Sequence, residues 1–231
     1  MKRILVTGAN RGIGLEFVKQ LSQQGMEVIA TCRNPQQAWE LQQLAGERKS
    51  IIIHKLDVTD DSELRQLANK LKTTYLDWII NNAGVSGQSG VTAGNIERDN
   101  FSQVFNVNCL SALKVSDIFL PSLLKGKDKL IVAISSRLGS ISDNQWGRSY
   151  AYRTSKAALN CVMRSFALDV AKEGVKVMLL HPGWVKTRLG GPDARLAVET
   201  SVNAMLKVIE KYKDNSHAEV LRSYNDEVID W

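Results

Sequence analysis

A chain of 231 residues that is 44% hydrophobic and 23% charged, with only four prolines, belongs with ordinary globular proteins and not with disordered or fibrous ones. Its net charge of +6 is spread over 30 Lys and Arg residues without a dense basic block, which argues against nucleic acid as a partner. Cys32, Cys109 and Cys161 lack metal-ligand spacing, and His54, His181 and His217 stand singly, so the thiols read as free and no metal site is expected.

The apolar stretch after Met1-Lys2-Arg3 is too brief for a secretory signal, and no apolar run approaches the ~18 residues of a membrane span. A soluble, cytoplasmic protein with no membrane partner is therefore expected. Short apolar runs that read as strands lie at Arg3–Thr7, Glu27–Cys32, Ser50–Leu56, Leu76–Asn81, Lys129–Ser135 and Val175–His181, with a weaker one near Glu219–Arg222. Several are apolar on consecutive positions, as strands buried on both faces must be. Between the first two, Ile13, Phe17, Val18 and Leu21 share one helical face, and Gly25 follows where a left-handed residue would stop the helix. Further helices are predicted at Pro35–Glu47, Asp60–Leu71, Phe101–Leu124, Tyr150–Glu173 and Val198–Lys211. Parallel strands need crossover connections, so this alternation builds an α/β fold: a doubly wound parallel sheet of about seven strands with helices on both faces, a Rossmann fold. One domain over 1–231 is expected, with Gly-rich loops near 85–95 and 187–197 as lids.

Thr7-Gly8-Ala9-Asn10-Arg11-Gly12-Ile13-Gly14 sits where the first strand meets the first helix. Backbone N–H groups there face any anion, and glycine lets a diphosphate approach closely. Dinucleotide folds place an acid at the end of the second strand to bind the ribose of NAD. This sequence has Cys32 and then Arg33. Arg33, helped by Arg11, can pair with a 2′-phosphate through charge-assisted bonds, so NADP(H) is favoured over NAD(H).

More motifs follow in order. Asp57 stands in Leu56-Asp57-Val58-Thr59, and Asn81-Asn82-Ala83-Gly84 follows Trp78-Ile79-Ile80. Phe105-Asn106-Val107-Asn108 lies in a predicted helix, and Ile134-Ser135-Ser136 ends the fifth strand. In Tyr152-Arg153-Thr154-Ser155-Lys156 the tyrosine and lysine are four residues apart on one helical face. An ammonium beside the phenol, together with the positive charge of oxidised nicotinamide, would favour the phenolate, bringing a pKa of ~10 toward neutrality. His181-Pro182-Gly183-Trp184-Val185-Lys186-Thr187 closes the sixth strand.

With these motifs the chain resembles, almost end to end, a short-chain dehydrogenase/reductase of the compact single-domain type. The resemblance implies hydride transfer between a nicotinamide and a carbonyl or alcohol carbon of a small molecule. It implies catalysis by Asn108, Ser136, Tyr152 and Lys156. It also implies cofactor contacts from Gly8, Asn10, Arg11, Gly12, Ile13, Gly14, Arg33, Asp57, Val58, Asn82, Ala83, Gly84, Tyr152, Lys156, Pro182, Gly183, Val185 and Thr187. Adjacent strand residues point to opposite faces, and the family uses the second serine of the pair, hence Ser136 over Ser135. Ser136 precedes Tyr152 by sixteen positions, about three more than is common in the family, so 137–150 must bulge and Ser140 and Ser142 stay open. Asn106 is the rival of Asn108, whose expected part is to hold a water linked to the lysine. His181 is read as a strand-end residue.

Ser-Ser-x-Leu-Gly-Ser-Ile, the wide spacing to the tyrosine, Lys186–Pro192 and an ending at Trp231 soon after the seventh strand are similar to C-factor and sniffer-like carbonyl reductases. The family allows a homodimer or homotetramer through the two long helices as well as a monomer. Two alternatives stand beside the reductase: a nucleotide-binding regulatory protein, and a sugar-nucleotide epimerase, which the glycine spacing disfavours.

Overall fold

The structure is a computed structural model and describes residues 1–215 and 217–231. Its strands are β1 (Arg3–Thr7), β2 (Glu27–Cys32), β3 (Ile51–Lys55), β4 (Trp78–Asn81), β5 (Leu130–Ile134), β6 (Lys176–His181), β7 (His217–Ser223) and β8 (Val228–Ile229). The helices are α1 (Gly12–Gln23), α2 (Trp39–Glu47), α3 (Asp61–Lys70), α4 (Arg98–Phe105), α5 (Ser111–Ile118), α6 (Leu120–Leu123), α7 (Tyr150–Asp169) and α8 (Val198–Tyr212).

The strands form one sheet in the order β3-β2-β1-β4-β5-β6-β7-β8. Pairing is parallel from β3 to β7, and only the short β8 runs antiparallel against β7. The doubly wound Rossmann architecture is therefore the observed one, with an eighth strand beyond the seven or so that periodicity indicates. A two-residue strand carries too little pattern to be read from sequence.

Alternate strand residues feed two apolar layers, as a period of two requires. Leu5, Ile29, Ile79, Ile131, Val177 and Leu179 face α3, α5 and α7. Ile4, Val6, Val28, Ile80, Val132 and Leu180 face α1, α2 and α8. Each fully buried aliphatic side chain contributes ~1.5–3 kcal/mol, so the two layers hold the sheet rigid beneath loops that contribute little.

Strand order reverses between β1 and β4, and such a switch point opens a crevice at the carboxyl ends of the strands. The glycine turn, the segment after β4 and the start of α7 all gather there.

Helix boundaries depart from the periodicity in instructive places. The predicted helix Phe101–Leu124 is three helices, α4, α5 and α6, with a π-helical turn over Asn106–Leu110 between α4 and α5. Pro121 lies in the first turn of α6 and Phe119 breaks before it, as a proline without an N–H requires. The predicted Pro35–Glu47 helix starts as a 3₁₀ turn and bends at Ala38. Asp60 caps α3 by accepting from the N–H groups of Ser62 and Glu63 at 2.8 and 3.0 Å. Gly25, with φ +77°, does adopt the left-handed conformation after α1.

At the opposite end of the sheet the buried Asp77 carboxylate accepts from the backbone N–H groups of Arg3 and Lys127, at 2.8 and 2.9 Å. That joint brings Gly126 against the backbone just before β4, where an added Cβ would lie 1.9 Å from the Leu76 carbonyl oxygen. Gly126→Ala should therefore lower stability by ~1–3 kcal/mol through overpacking against backbone. Urea unfolding measures it, and a loss within experimental error would mean that this joint yields.

Candidate active site

Anion binding at the first turn begins with two left-handed glycines. Gly8 and Gly12 have φ of +64° and +54°, conformations costly for any residue with a Cβ. Gly14 is needed for space: a Cβ there would come 2.3 Å from the Gly8 carbonyl oxygen and 2.5 Å from Asn82 Nδ2. Among the described residues no side chain caps α1, whose N-cap is Arg11. Its first N–H groups thus remain available to an anion. A Cβ on Gly12 would lie 3.3 Å from Thr187 Cγ2, so the loop after β6 overhangs the turn. A helix N-terminus with glycine at 12 and 14 and no capping side chain suits a diphosphate, and this cradle fits a dinucleotide.

The turn is locked to β4. Asn82 Nδ2 donates to the carbonyls of Thr7 and Gly8 at 2.8 and 3.2 Å. Thr7 Oγ1 accepts from the N–H groups of Asn82 and Ala83 at 3.0 and 3.1 Å. Asn82 therefore shapes the cradle through the turn's own carbonyls. Thr7, absent from the predicted site, is the other half of this lock; its place at the head of the Thr-Gly motif was the available signal.

At the end of β2 the exposed Arg33 lies close enough to Asp57 for its charge to act on that carboxyl. Burial opposes ionisation of Asp57, yet hydrogen bonds from Thr59, together with Arg33 and Lys55, hold its pKa below the usual range. Thr59 donates to Asp57 Oδ1 from its N–H and its hydroxyl at 2.9 and 2.7 Å. Arg33 and Asp57, from separate strands, thus meet at one edge of the crevice.

Ser135 and Ser136 diverge after β5, as alternation demands. Ser135 Oγ donates to Asn160 Oδ1 at 2.6 Å inside the protein. Ser136 accepts from the N–H of Leu138 at 3.1 Å, opening a 3₁₀ turn, and its hydroxyl also hydrogen-bonds the Tyr152 phenol. Ser140 and Ser142, the open alternatives, bond to each other at 3.2 Å, and Ser140 Oγ accepts from the N–H of Asp143. The widened spacing is taken up by that 3₁₀ turn and by a loop whose last residues, Gly147, Arg148 and Ser149, have φ of +60°, +59° and +49°.

Lys156 is buried, and its Nζ donates to the Ile134 carbonyl at 2.8 Å, 5.8 Å from the Tyr152 ring centroid. Burial pushes its ammonium down to about 8. Burial also pushes the Tyr152 phenol above its usual value, and the Ser136 hydrogen bond only partly offsets this. In the protein alone the phenol is a proton donor at neutral pH, because desolvation is the largest influence on it.

Asn108 lies in the π turn, where the Ser111 N–H reaches back to the Asn106 carbonyl. Its Oδ1 accepts from the Val85 N–H at 2.8 Å, while Nδ2 donates to the Val85 carbonyl and to Ser155 Oγ at 2.9 and 3.0 Å. Ser155 Oγ donates in turn to the Tyr152 carbonyl at 2.8 Å. The amide thereby clamps the segment after β4 onto α7. Ser155 was not anticipated. Neighbouring Cys109 is buried, with its thiol pushed up to about 11 by burial, and is inert at neutral pH. His181 ends β6, and burial first and Arg137 second push it down to about 4, so it is neutral.

Around β6, Pro182 accepts from Ser201 Oγ at 2.6 Å, Gly183 has φ +85°, and Val185 bridges to Leu196. Thr187 Oγ1 accepts from the Gly190 N–H at 3.0 Å. The structure thus brings Asn108, Ser136, Tyr152 and Lys156 together beside the glycine turn, with Arg33 and Asp57 at the far edge.

The chain is similar to known proteins in sequence and fold. A family model described as short chain dehydrogenase matches residues 2–195. The C-signal protein of Myxococcus xanthus is 43% identical over 147 residues, covering 64% of this chain and 88% of its own length. A solved NADPH-bound carbonyl reductase from chicken fatty liver is 37% identical, with a TM-score of 0.92 over 100% of this chain and 99% of its own. The carbonyl reductase Sniffer of D. melanogaster is 32% identical, with a TM-score of 0.93 over 100% of both chains.

The buried lysine makes a pH-dependent prediction. The unfolded chain keeps this proton up to about 10.5, whereas the folded protein releases it near about 8. Between those values the unfolded state binds more protons, so stability rises with pH by roughly 1 kcal/mol per unit from this group. The difference in unfolding free energy between wild type and Lys156→Met should shift in the wild type's favour across that window in urea titrations. Curves that stay parallel there would show that the ammonium is not desolvated.

Proposed function

The chain belongs to the short-chain dehydrogenase family, and on that premise we propose that it is an NADP(H)-dependent carbonyl reductase acting on an aldehyde, ketone or quinone, with the alcohol as the reverse substrate. The observation that carries the reading is the buried Lys156 beneath a Tyr152 phenol that shares a hydrogen bond with Ser136. A reduced nicotinamide, when bound, supplies hydride to the carbonyl carbon.

The residues do the rest. Ser136 and Tyr152 hold the substrate oxygen between two hydroxyl donors, where negative charge develops as the carbonyl is reduced. Tyr152 releases its proton to that oxygen; its raised pKa in the protein alone suits it to start the reaction protonated. Lys156, a cation below about pH 8, stabilises the phenolate left behind. Asn108 and Ser155 keep α7 and the segment after β4 in register around these groups. The glycine turn takes the diphosphate, and Asp57 and Val58 take the adenine. Pro182, Gly183, Val185 and Thr187 border the nicotinamide.

Arg33 supports the choice of NADP(H). It occupies the position of an acid that would repel a 2′-phosphate, and the NADPH recorded with the chicken reductase agrees with this. Loss of a charge-assisted bond costs ~1.5–3 kcal/mol, so Arg33→Ala should weaken NADPH by roughly 10- to 100-fold and leave NADH nearly unchanged. Fluorescence titration of both nucleotides measures this, and equal losses would remove the cofactor assignment.

NADPH oxidation with a panel of aldehydes, ketones and quinones tests the activity. Tyr152→Phe should reduce turnover by ~10²–10⁴-fold with NADPH affinity retained. The likeness to C-signal favours a second reading, a nucleotide-binding signalling protein. Wild type and Tyr152→Phe equally inactive toward every carbonyl, both binding NADPH tightly, would replace the reductase with that reading.

A further inference from the structure

Ser136 and Tyr152 meet across the two ends of the loop 137–149, and that loop is held from outside. Arg137, directly after Ser136, opens the 3₁₀ turn that leads into it. Its guanidinium donates from Nη1 to Asp143 Oδ2 at 3.2 Å, within the loop, and from Nη2 to Glu227 Oε2 at 2.8 Å, in the turn between β7 and β8. A planar guanidinium with several fixed donors can bridge two carboxylates, which the point charge of an ammonium does less well. Ser142 adds a second hold, its N–H donating at 2.9 Å to the carbonyl of Trp231, just beyond β8. His181 lies close enough to feel the charges of Arg137 and Glu227, but burial above all pushes it down to about 4. Being neutral, it does not compete with Arg137 for the carboxylate.

The turn that carries Glu227 is itself anchored. The Tyr224 N–H donates to the His181 carbonyl at 2.8 Å, and the Ser223 N–H donates to the Glu227 carbonyl at 2.7 Å. From α8, Lys211 and Tyr212 both donate to Asp226 Oδ2, at 2.6 and 3.2 Å. The same turn reaches the other wall of the crevice. A Cβ on Gly183 would lie 2.8 Å from Cε1 of Tyr224, in the segment that the reductase reading sets beside the nicotinamide. One turn therefore meets Arg137, the neighbour of Ser136, through an ion pair and the segment after β6 through an aromatic ring.

An ion pair between partly exposed side chains adds little to global stability, so the consequence of this one is geometric. Ser136 must meet the substrate oxygen at hydrogen-bond distance while hydride arrives from the nicotinamide. We propose that Arg137 and Glu227 are positioning residues for the reaction, their ion pair holding Ser136 at a set distance from the segment after β6. The proposal rests on the reductase reading, and both side chains act through Ser136.

Glu227→Ala in the full chain, saturated with NADPH, should lower kcat for carbonyl reduction by ~10-fold, short of the ~10²-fold that a 1 Å misplacement costs. NADPH affinity and the thermal midpoint should stay unchanged. Arg137→Ala should lose as much or more, and adding Glu227→Ala to it should cost nothing further, because the two act as one unit. Tyrosine labelled with carbon-13 at Cζ gives an NMR readout that needs no turnover. The Tyr152 resonance, identified by its absence in Tyr152→Phe, should move in Glu227→Ala in the same direction as in Ser136→Ala, which removes its hydroxyl partner. Full turnover in Glu227→Ala, or multiplied losses in the double variant, would overturn the positioning role. If wild type reduces no carbonyl, the reductase reading fails by itself and the resonance decides: a Tyr152 signal that stays in place in Glu227→Ala overturns the clamp on Ser136, and one that moves upholds it.

Discussion

A cation inside the protein is the constraint around which this structure is arranged. Taking an ammonium out of water is costly unless strong partners replace the lost hydration, and Lys156 donates to the Ile134 carbonyl at 2.8 Å. The cost shows as a pKa lowered to about 8, still high enough to keep the charge at neutrality. Holding the lysine there requires α7 to lie close against the end of β5. Gly139 permits that approach, since any side chain at this position would strike the Lys156 backbone.

The segment after β4 joins the two halves of the crevice. Within four consecutive residues, Asn82 grips the carbonyls of the glycine turn and Val85 exchanges two hydrogen bonds with Asn108. Gly84 lies between them, where a Cβ would come 3.3 Å from Asn108 Oδ1 and 3.9 Å from Lys156 Nζ. The glycine turn and the cluster of Asn108, Tyr152 and Lys156 are thus fixed relative to each other by one short stretch of backbone. Fixed distance between two bound reactants is a large part of what an enzyme of this kind can supply. The π turn fits this scheme, because its extra residue sets Asn108 facing Val85 and Ser155 together.

Much of this was legible in the chain itself. The consecutive apolar positions of β1, β4, β5 and β6 announced strands covered on both faces, and the layers built from Leu5, Ile79 and Val177, and from Ile4, Ile80 and Leu180, follow that alternation. Gly8, Gly12 and Gly14 stood out because a tight anion-binding turn needs glycine for reasons that do not depend on distant residues. Tyr152 and Lys156 were visible as a pair because four residues make about one helical turn. The long helix predicted at Phe101–Leu124 was too continuous, since apolar periodicity does not register a π turn or a helix break that tertiary contacts select.

By itself, then, the sequence determined whatever local geometry dictates: the elements, their alternation, the glycine turn and the one-turn spacing of phenol and ammonium. Only the tertiary structure decided which serine faces the phenol, that Asn108 clamps Val85 and Ser155, and that Thr7 and Ser155 brace the candidate site. These depend on partners from separate elements, 75 positions apart for Thr7 and Asn82 and 47 for Asn108 and Ser155. The burial that raises the phenol and lowers the ammonium arises in the same way, because desolvation is a property of the packed surroundings and of no single segment.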